Sequence, residues 1–572
     1  MTLTRVLAFF RQQHRNIGLP QPQPPGFRRV AVALLGVVAY ASLVGVAVFR
    51  SWPHYELLGI FLRYTILLPA IVYALGAPDA EGALPTPHRF GTTLVIICAF
   101  FLMAAGISWR VGEGLVIPDE SSYRFQALIF ASGEIVAPPP PGSPERTSDA
   151  PRAIRFVHQI ESRSGWYSKY PIGWPAVLAF PEAINLGWLA SPVLGALLLA
   201  LIGLAAREAF GPATVLPAVA MAALSPYFMA NSVGRMPHAL SGVLVASAFV
   251  LCIQGLKTGK LSRFGWMFLV LAATFQVRPT TAFAASVVLG LGALIGTRNQ
   301  RPLCVRVAAL GGVAAVLAIS STLLYNWRFT GRPLLFPYAL YMGGTVRELA
   351  VTGPQLLHYL ASSWRSSAQS AILYSFPLVA LLAIYVLRIS RSKSPVPWIL
   401  LAVPCALVLV HLPTADPGTA SIIGERYWFE GYFGIVVLAA EGLTRVLASW
   451  RPPRQAVIAV VIGLTATQLV MMAAAAAKLD AVSLPRREMR RMAETYRSCN
   501  CVVYLADTPE VFYGSHLNLN GPDWPTAGVF YAVDPGPTER AKWAGMLHRR
   551  RWVVLKYDAQ RSTAVLDGVG SL

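Results

Sequence analysis

Apolar segments of about 20 residues recur along most of this 572-residue chain. A helix needs about that length to cross the roughly 30 Å hydrocarbon core of a bilayer. We expect about thirteen such spans: 30–49, 55–76, 91–108, 188–206, 213–230, 238–256, 264–277, 280–297, 306–325, 369–388, 396–412, 430–447 and 455–476. The sequence therefore predicts an all-α polytopic membrane protein.

The charge content supports this prediction and excludes other classes of protein. Only 13% of the residues are charged and 55% are hydrophobic, so the chain is not disordered. Six cysteines are too few for a disulfide-rich secreted scaffold. The net charge of +21 does not indicate a nucleic-acid binder, because the basic residues surround long apolar runs instead of covering a polar face.

The basic residues instead indicate the orientation in the membrane. The N-terminal arm, residues 1–29, carries five arginines and no acid, which places it in the cytoplasm by the positive-inside rule. Alternate loops are basic as well, and the inferred cytosolic segments together hold 19 Lys and Arg against 3 acids. An odd number of spans then puts the C-terminus on the outer, extracytoplasmic face.

The outward-facing segments divide the chain further. We expect a transmembrane domain over 30–477, with a large outward loop at 109–187, and a small extracytoplasmic α/β domain over 478–572. The Pro-rich part of the loop, 137–151, is predicted to act as a lid. In the tail we expect helices over 486–497 and 538–550 and strands over 501–505, 528–533 and 552–557.

The tail also holds two cysteines with one residue between them. A disulfide between Cys499 and Cys501 would be strained, so we predict neither a bridge nor a metal site there.

An acidic pair, Asp119-Glu120, opens the large outward loop directly after a span. Adjacent acids of this kind supply a general base and a partner for a metal or a hydrogen bond. The alternative is an ordinary solvated pair.

Where the loop returns to the membrane, Lys169 and Tyr170 lie in an aromatic segment. Such a segment is typical of an interfacial anchor, but the lysine also suits a phosphate. Arg235 and His238 follow a span on the same predicted face, where a lone histidine is often only hydrogen-bonded.

Arg278 lies between two apolar half-spans, where it either binds a lipid phosphate or extends its side chain to the interface. Asn326, Arg426 and Tyr427 lie in polar segments at further span ends. All these groups fall on the predicted outer face. Their convergence suggests a site for a phosphate and a polar substrate at the membrane surface.

The order of these motifs resembles the GT-C class of membrane glycosyltransferases, especially protein O-mannosyltransferases and bacterial aminoarabinose-type transferases. The matching elements are Asp119-Glu120 with the following Ser121 to Ala127, Tyr170 to Pro175, Ser225 to His238, Arg278-Pro279, Asn326 to Pro333, and Gly424 to Glu430. Two substitutions depart from the family pattern, Ile172 for Pro and Trp327 for Tyr. The acidic loop follows the third span here, whereas in much of the class it follows the first.

The resemblance implies an inverting transfer of a sugar from a polyprenyl-phosphate carrier to a glycan, lipid or protein acceptor. It implies that Asp119 takes the acceptor proton and that Arg278, Arg426 and Lys169 stabilise the phosphate. Glu120 and His238 would orient the acceptor, bind the phosphate or hold a divalent ion. The need for a metal cofactor stays open, with Asp119, Glu120 and His238 as candidate ligands. The resemblance also implies a bacterial inner membrane.

Two other functions compete with this interpretation. A transporter or lipid flippase would also be polytopic, but it would more often show internal repeats and a site near the midplane. A non-enzymatic assembly or sensor protein would use the tail as a binding module, which leaves the outward acids and cations unexplained.

Overall fold

The computed structural model describes residues 90–112, 115–145, 147–343, 374–376, 378–389, 395–411, 423–450, 454–507 and 514–572. The predicted N-terminal arm, the spans 30–49 and 55–76, and the first part of the span 369–388 lie outside these residues. Packing divides the chain into two units, residues 1–86 with 445–467 and residues 87–444 with 468–572. Every residue of the candidate site belongs to the second unit.

The fold is mostly helical. The helices are α1 (Phe90–Gly112), α2 (Pro118–Ala131), α3 (Gly173–Ala183), α4 (Ala190–Phe210), α5 (Val215–Ala223), α6 (Pro226–Ala230), α7 (His238–Thr258), α8 (Leu261–Val277), α9 (Pro279–Thr297), α10 (Arg301–Thr330), α11 (Pro337–Tyr341), α12 (Val379–Ile389), α13 (Val396–His411), α14 (Tyr432–Trp450), α15 (Arg454–Glu494) and α16 (Arg540–Met546). The strands are β1 (Gln159–Ser162), β2 (Gly165–Ser168), β3 (Cys501–Leu505), β4 (Val529–Val533), β5 (Arg551–Asp558) and β6 (Thr563–Ser571).

Among the described residues, seven helices are long and apolar enough to cross a membrane, and four more apolar helices are shorter. The chain is a multi-pass integral membrane protein, and the predicted count of thirteen spans is confirmed in part. α7 packs between α4 and α8 and is the most buried candidate span, with 72% of its apolar window buried. α1 and α10 bury only 17% of theirs, as expected for helices whose apolar surface meets lipid.

The predicted span 213–230 is not one helix. It is divided into α5 and α6 at Leu224, because Pro226 lacks the N–H that a continuous helix would need there. Ser225 caps the second piece by accepting a hydrogen bond from the Phe228 backbone at 3.2 Å. In contrast, α15 runs continuously through Pro485 and joins the predicted span 455–476 to most of the predicted helix 486–497.

The large outward loop contains regular structure that we did not predict. Its first residues form α2, where Pro118 at the first position and two acids in the first turn favour a helix start. β1 and β2 form an antiparallel hairpin that precedes α3. The Pro-rich part is fixed to the C-terminal segment, because the Trp524 indole donates to the Pro138 carbonyl at 2.9 Å. The lid role that we predict for this part stays a prediction.

The C-terminal segment forms a four-stranded sheet in the order β4-β3-β5-β6. β3 pairs in parallel with β4 and β5, and β6 pairs antiparallel with β5. The three predicted strands agree closely with β3, β4 and β5, whereas β6 was not predicted.

The structure contradicts our prediction for the cysteines of this segment. Cys499 and Cys501 form a disulfide with a Cα–Cα distance of 5.2 Å, inside the usual range. Asn500 between them adopts a left-handed conformation with φ of 49°, which bends the chain and lets the two side chains meet.

The sheet and the large outward loop share one hydrophobic core. Phe125, Ile129 and Trp166 of the loop pack with side chains from the sheet, including Tyr504 and Phe530. The Trp166 and Phe530 rings lie 6.3 Å apart. This core fixes α2 and the hairpin against the C-terminal segment.

Candidate active site

Asp119 lies in the first turn of α2, with its side chain 13% exposed. Its carboxylate accepts a 2.5 Å hydrogen bond from the Tyr170 hydroxyl and lies 3.7 Å from a guanidinium nitrogen of Arg426. Burial opposes ionisation, yet the positive charge of Arg426 and the Tyr170 hydrogen bond lower the pKa of Asp119 to about 2. The carboxylate is therefore ionised at neutral pH.

Arg278 and Arg426 approach the same aromatic ring. Their guanidinium carbons lie 5.9 and 5.4 Å from the centre of the Tyr427 ring. Local sequence places both. Pro279 keeps Arg278 extended, which ends α8 and starts α9 at the arginine, and Arg426 opens a short 3₁₀-helix that Glu425 caps.

Lys169 brings a third cation to the site. Its ammonium lies 4.4 and 4.3 Å from the centres of the Tyr338 and Tyr341 rings and 5.2 Å from the Tyr170 ring. Burial lowers the pKa of Lys169 to about 8, although the negative charge of Asp119 acts in the opposite direction. Among the described residues, no carboxylate comes within ion-pair distance of this ammonium. A bound anion would supply the missing counter-charge.

His238 belongs to a buried network around Glu430. The Glu430 carboxylate accepts hydrogen bonds from Ser241 at 2.8 Å, contacts His238 at 3.1 Å and pairs with Arg278 at 3.0 Å. His238 also contacts the Arg278 guanidinium. Glu430 was not among the predicted site residues, and it orients Arg278.

Arg235 and Glu120 are brought together. Glu120 accepts from the Arg235 backbone N–H at 3.2 Å, and burial raises the pKa of Glu120 to about 7 against the charge of Arg235. The Arg235 side chain pairs with buried Glu182 and donates to the Gly112 carbonyl. Arg235 therefore already has a carboxylate partner, which differs from the phosphate-binding role we expected.

Asn326 is fully buried near the end of α10. Its amide donates to the Pro333 carbonyl at 2.9 Å, and its backbone carbonyl accepts from Thr330 at 2.7 Å. These bonds hold the turn that closes the helix. The structure thus gives Asn326 a role in positioning the turn before Tyr338 and Tyr341.

His158 is a site residue that the sequence analysis missed. Its Nε2 atom lies 3.7 Å from an Asp119 oxygen, and its ring packs against those of Tyr170 and Tyr341. Its backbone is left-handed, with φ of 67°, which is uncommon for a residue with a side chain and is frequent at functional sites. A lone histidine inside a long loop carried no signal that separates it from an ordinary surface residue.

The three candidate metal ligands do not converge. Asp119 faces Arg426, Glu120 faces the Arg235 backbone, and His238 faces Glu430. No group of three His, Cys, Asp or Glu side chains in the described part of the chain is arranged to hold a metal ion. A guanidinium beside Asp119 also disfavours a divalent cation there. The residues present therefore do not fit the candidate metal site.

The sequence matches a family model. The model described as dolichyl-phosphate-mannose-protein mannosyltransferase matches residues 183–326, about a quarter of the chain. The matched region contains the Ser225 to His238 and Arg278-Pro279 motifs and ends at Asn326. Asp119 and Arg426 lie outside it. A search of curated proteins finds no match.

Solved structures of membrane transferases also match the fold at low identity. ArnT from Cupriavidus metallidurans bound to undecaprenyl phosphate is 12% identical, with 82% of this chain and 94% of that chain covered and a TM-score of 0.49. The Archaeoglobus fulgidus oligosaccharyltransferase in complex with zinc and sulfate is 11% identical, with 80% of this chain and 68% of that chain covered and a TM-score of 0.46. Arabinosyltransferase EmbB from Mycobacterium smegmatis is 14% identical, with 76% of this chain and 46% of that chain covered and a TM-score of 0.41. The family match confirms the resemblance that the ordered motifs predict: this chain is similar to the GT-C class of membrane glycosyltransferases.

Proposed function

We propose that the protein transfers a sugar from a polyprenyl-phosphate carrier to an acceptor on the outer face of a bacterial inner membrane. The observation that carries this proposal is an ionised carboxylate, Asp119, beside a set of cations and aromatic rings. A glycosyl transfer from a lipid phosphate needs both groups. The carboxylate takes the proton of the acceptor hydroxyl, and the cations stabilise the departing phosphate.

Arg278, Arg426 and Lys169 are the proposed phosphate-binding residues. The two arginines flank Tyr427 and present planar donors that suit phosphate oxygens. Lys169 lies among tyrosines without a carboxylate at ion-pair distance in the described residues. Glu430 holds one face of the Arg278 guanidinium in place. As the sugar–oxygen bond breaks, the phosphate gains negative charge, and these cations stabilise it more strongly than they stabilise the bound donor.

Asp119 is the proposed base. The acceptor oxygen bonds to the anomeric carbon from the side opposite the phosphate, the carbon–phosphate-oxygen bond breaks with its electron pair, and the configuration inverts. The acceptor proton passes to Asp119 and then to water. A free Asp119 with a pKa of about 2 is a weak base. A donor phosphate on Arg426 offsets the guanidinium charge and so increases the basicity of the carboxylate.

The test is transfer by the purified protein in lipid nanodiscs or detergent. The donors are radiolabelled polyprenyl-phosphate hexoses and pentoses, and the acceptor is a crude cell-envelope fraction. We expect label to move from the lipid to the acceptor fraction with at least one donor, and heat-denatured protein to transfer none.

The same labelled donors distinguish sugar transfer from transport, the competing function. In sealed vesicles, a transporter or lipid flippase would move the labelled lipid between leaflets without breaking the sugar–phosphate bond. Flux of intact donor, with no transfer from any donor, would contradict the proposed function.

A further inference from the structure

Residues 514–520 of the C-terminal segment contact the chain close to Asp119 and close to His158. The Asn518 backbone N–H donates to the Ser121 hydroxyl at 3.0 Å, two residues after Asp119 in α2. The Asn518 side-chain amide donates to the Gln159 side-chain oxygen at 2.8 Å, one residue after His158. A single residue therefore joins the two short segments that carry the carboxylate and the imidazole.

Neighbouring contacts reinforce this connection. The Val157 backbone N–H donates to the Ser515 carbonyl at 2.9 Å, on the other side of His158. The Arg486 guanidinium donates to the Val116 carbonyl at 2.9 Å, three residues before Asp119, and contacts His516 at 3.2 Å. All these partners belong to α15 or to residues 514–520, which carry none of Lys169, Arg278 and Arg426.

Asn518 is itself fixed to the C-terminal sheet. Its side-chain oxygen accepts from the backbone and the amide of Asn520, each at 2.9 Å. Asn520 in turn bonds Tyr531 of β4 in both directions, at 2.8 and 3.0 Å. Both asparagines are almost fully buried, 2% and 3% exposed. A buried amide network with these partners satisfied is rigid, and it holds the groups bound to it in one arrangement.

We propose that Asn518 is a positioning residue for catalysis, which fixes Asp119 and His158 in the arrangement that receives the acceptor hydroxyl. This inference rests on the proposed function for its kinetic consequence. It gives the C-terminal segment, in which the sequence shows no catalytic motif, a direct role in the site. Arg278 and Arg426 lie on other elements, whereas Lys169 follows β2 and its backbone N–H donates to the His158 carbonyl at 3.2 Å. Loss of Asn518 should therefore affect acceptor activation more strongly than donor binding.

The first test compares Asn518→Leu with Arg540→Ala. Leucine has a similar volume but makes none of the amide hydrogen bonds. Arg540→Ala removes a paired contact to Asp534 in the same segment, at 2.9 and 2.8 Å. In the described part of the chain, the Arg540 side chain makes no hydrogen bond to α2 or the hairpin. We expect Asn518→Leu to lower kcat about ten- to a hundredfold, with the donor KM within about threefold of wild type. Arg540→Ala should keep both constants near wild type.

The second test measures the arrangement without relying on activity. Hydrogen exchange followed by mass spectrometry is compared for the peptides that cover 116–126 and 155–160. We expect faster exchange in both peptides for Asn518→Leu and unchanged exchange for Arg540→Ala.

Unchanged exchange in both peptides for Asn518→Leu, or a kcat equal to that of Arg540→Ala, would overturn the inference. If the wild-type protein transfers no sugar, the proposed function fails. The exchange measurement then still decides whether Asn518 holds the two segments.

Discussion

At the scale of single residues, Lys169 combines a positive charge, burial and aromatic neighbours. It is 4% exposed and lies among three tyrosine rings. Burial lowers its pKa to about 8, so its charge is lost just above physiological pH. Asp119, with a pKa of about 2, is ionised at neutral pH.

These values predict an alkaline limit to activity. As pH rises through about 8, Lys169 loses its proton and its attraction for a phosphate, so kcat/KM for the donor should fall. An arginine stays charged at this pH, so Lys169→Arg should move the limit upward. The measurement is the pH profile of kcat/KM, with Lys556→Arg, at an exposed position of β5, as the control. An identical limit in wild type and Lys169→Arg would rule out Lys169 as its source.

The sequence located most cations of the site but not their partners. Arg278, Arg426 and Lys169 stand out because charges near apolar spans are costly and need a reason. Glu182 and Glu430 carried the same signal, as acids beside apolar segments, and each pairs with an arginine in the structure. Which arginine pairs with which acid depends on contacts between residues far apart in the chain. The sequence therefore did not show that Arg235 is committed to Glu182.

At the scale of elements, the close approach of α3 to the end of α8 positions Arg278. A Cβ atom on Gly173 would lie 2.6 Å from the Gln276 carbonyl oxygen, closer than real contacts allow. This explains the glycine in the aromatic return segment. Any side chain there would push α3 away from the residues that precede Arg278.

Gly173→Ala should therefore weaken both stability and transfer. Overpacking of this kind costs about 1–3 kcal/mol, and a shifted Arg278 should lower kcat about tenfold. The matched control is Gly265→Ala in α8, where the added Cβ would meet nothing closer than 3.8 Å. Thermal unfolding in detergent and the transfer rate are the measurements. Equal values for the two variants would contradict the packing argument.

The elements themselves were partly predictable. Long apolar runs gave helix positions within a few residues for α7 and α9, and Arg278-Pro279 correctly marked the break between α8 and α9. The start of α2 had a recognisable signal, Pro118 followed by two acids, and Pro226 signalled the break that divides the span 213–230. β1 and β2 have four residues each, too short for an alternating pattern to separate them from the loop.

At the scale of the whole molecule, the distribution of basic residues predicts the topology. Most of the +21 net charge lies in segments inferred to be cytosolic. The residues of the candidate site lie next to the helix ends that this topology places on the outer face. If the topology is correct, the C-terminal segment and Asp119 face the outside together.

A reporter fusion tests this topology. An alkaline phosphatase joined after Leu572 should be active, because that enzyme folds only outside the cytoplasm. The control fusion is placed at Lys260, between α7 and α8, where it should be inactive. Activity at Lys260 with none at Leu572 would reverse the orientation and place the site on the cytoplasmic face.

The most direct test of the whole account is the rate of sugar transfer by Asp119→Asn at saturating donor and acceptor. Asparagine keeps the size of the side chain but cannot take a proton. The control is Asp558→Asn. The Asp558 carboxylate accepts from the backbone of Gln560 and Arg561 in the turn after β5, which an asparagine oxygen can also do, and its other contact is an ion pair with the exposed Arg561 side chain. We expect a fall in kcat of about 10²–10⁴-fold for Asp119→Asn and a rate near wild type for Asp558→Asn. Equal kcat values for the two variants would contradict Asp119 as the base and, with it, the proposed site.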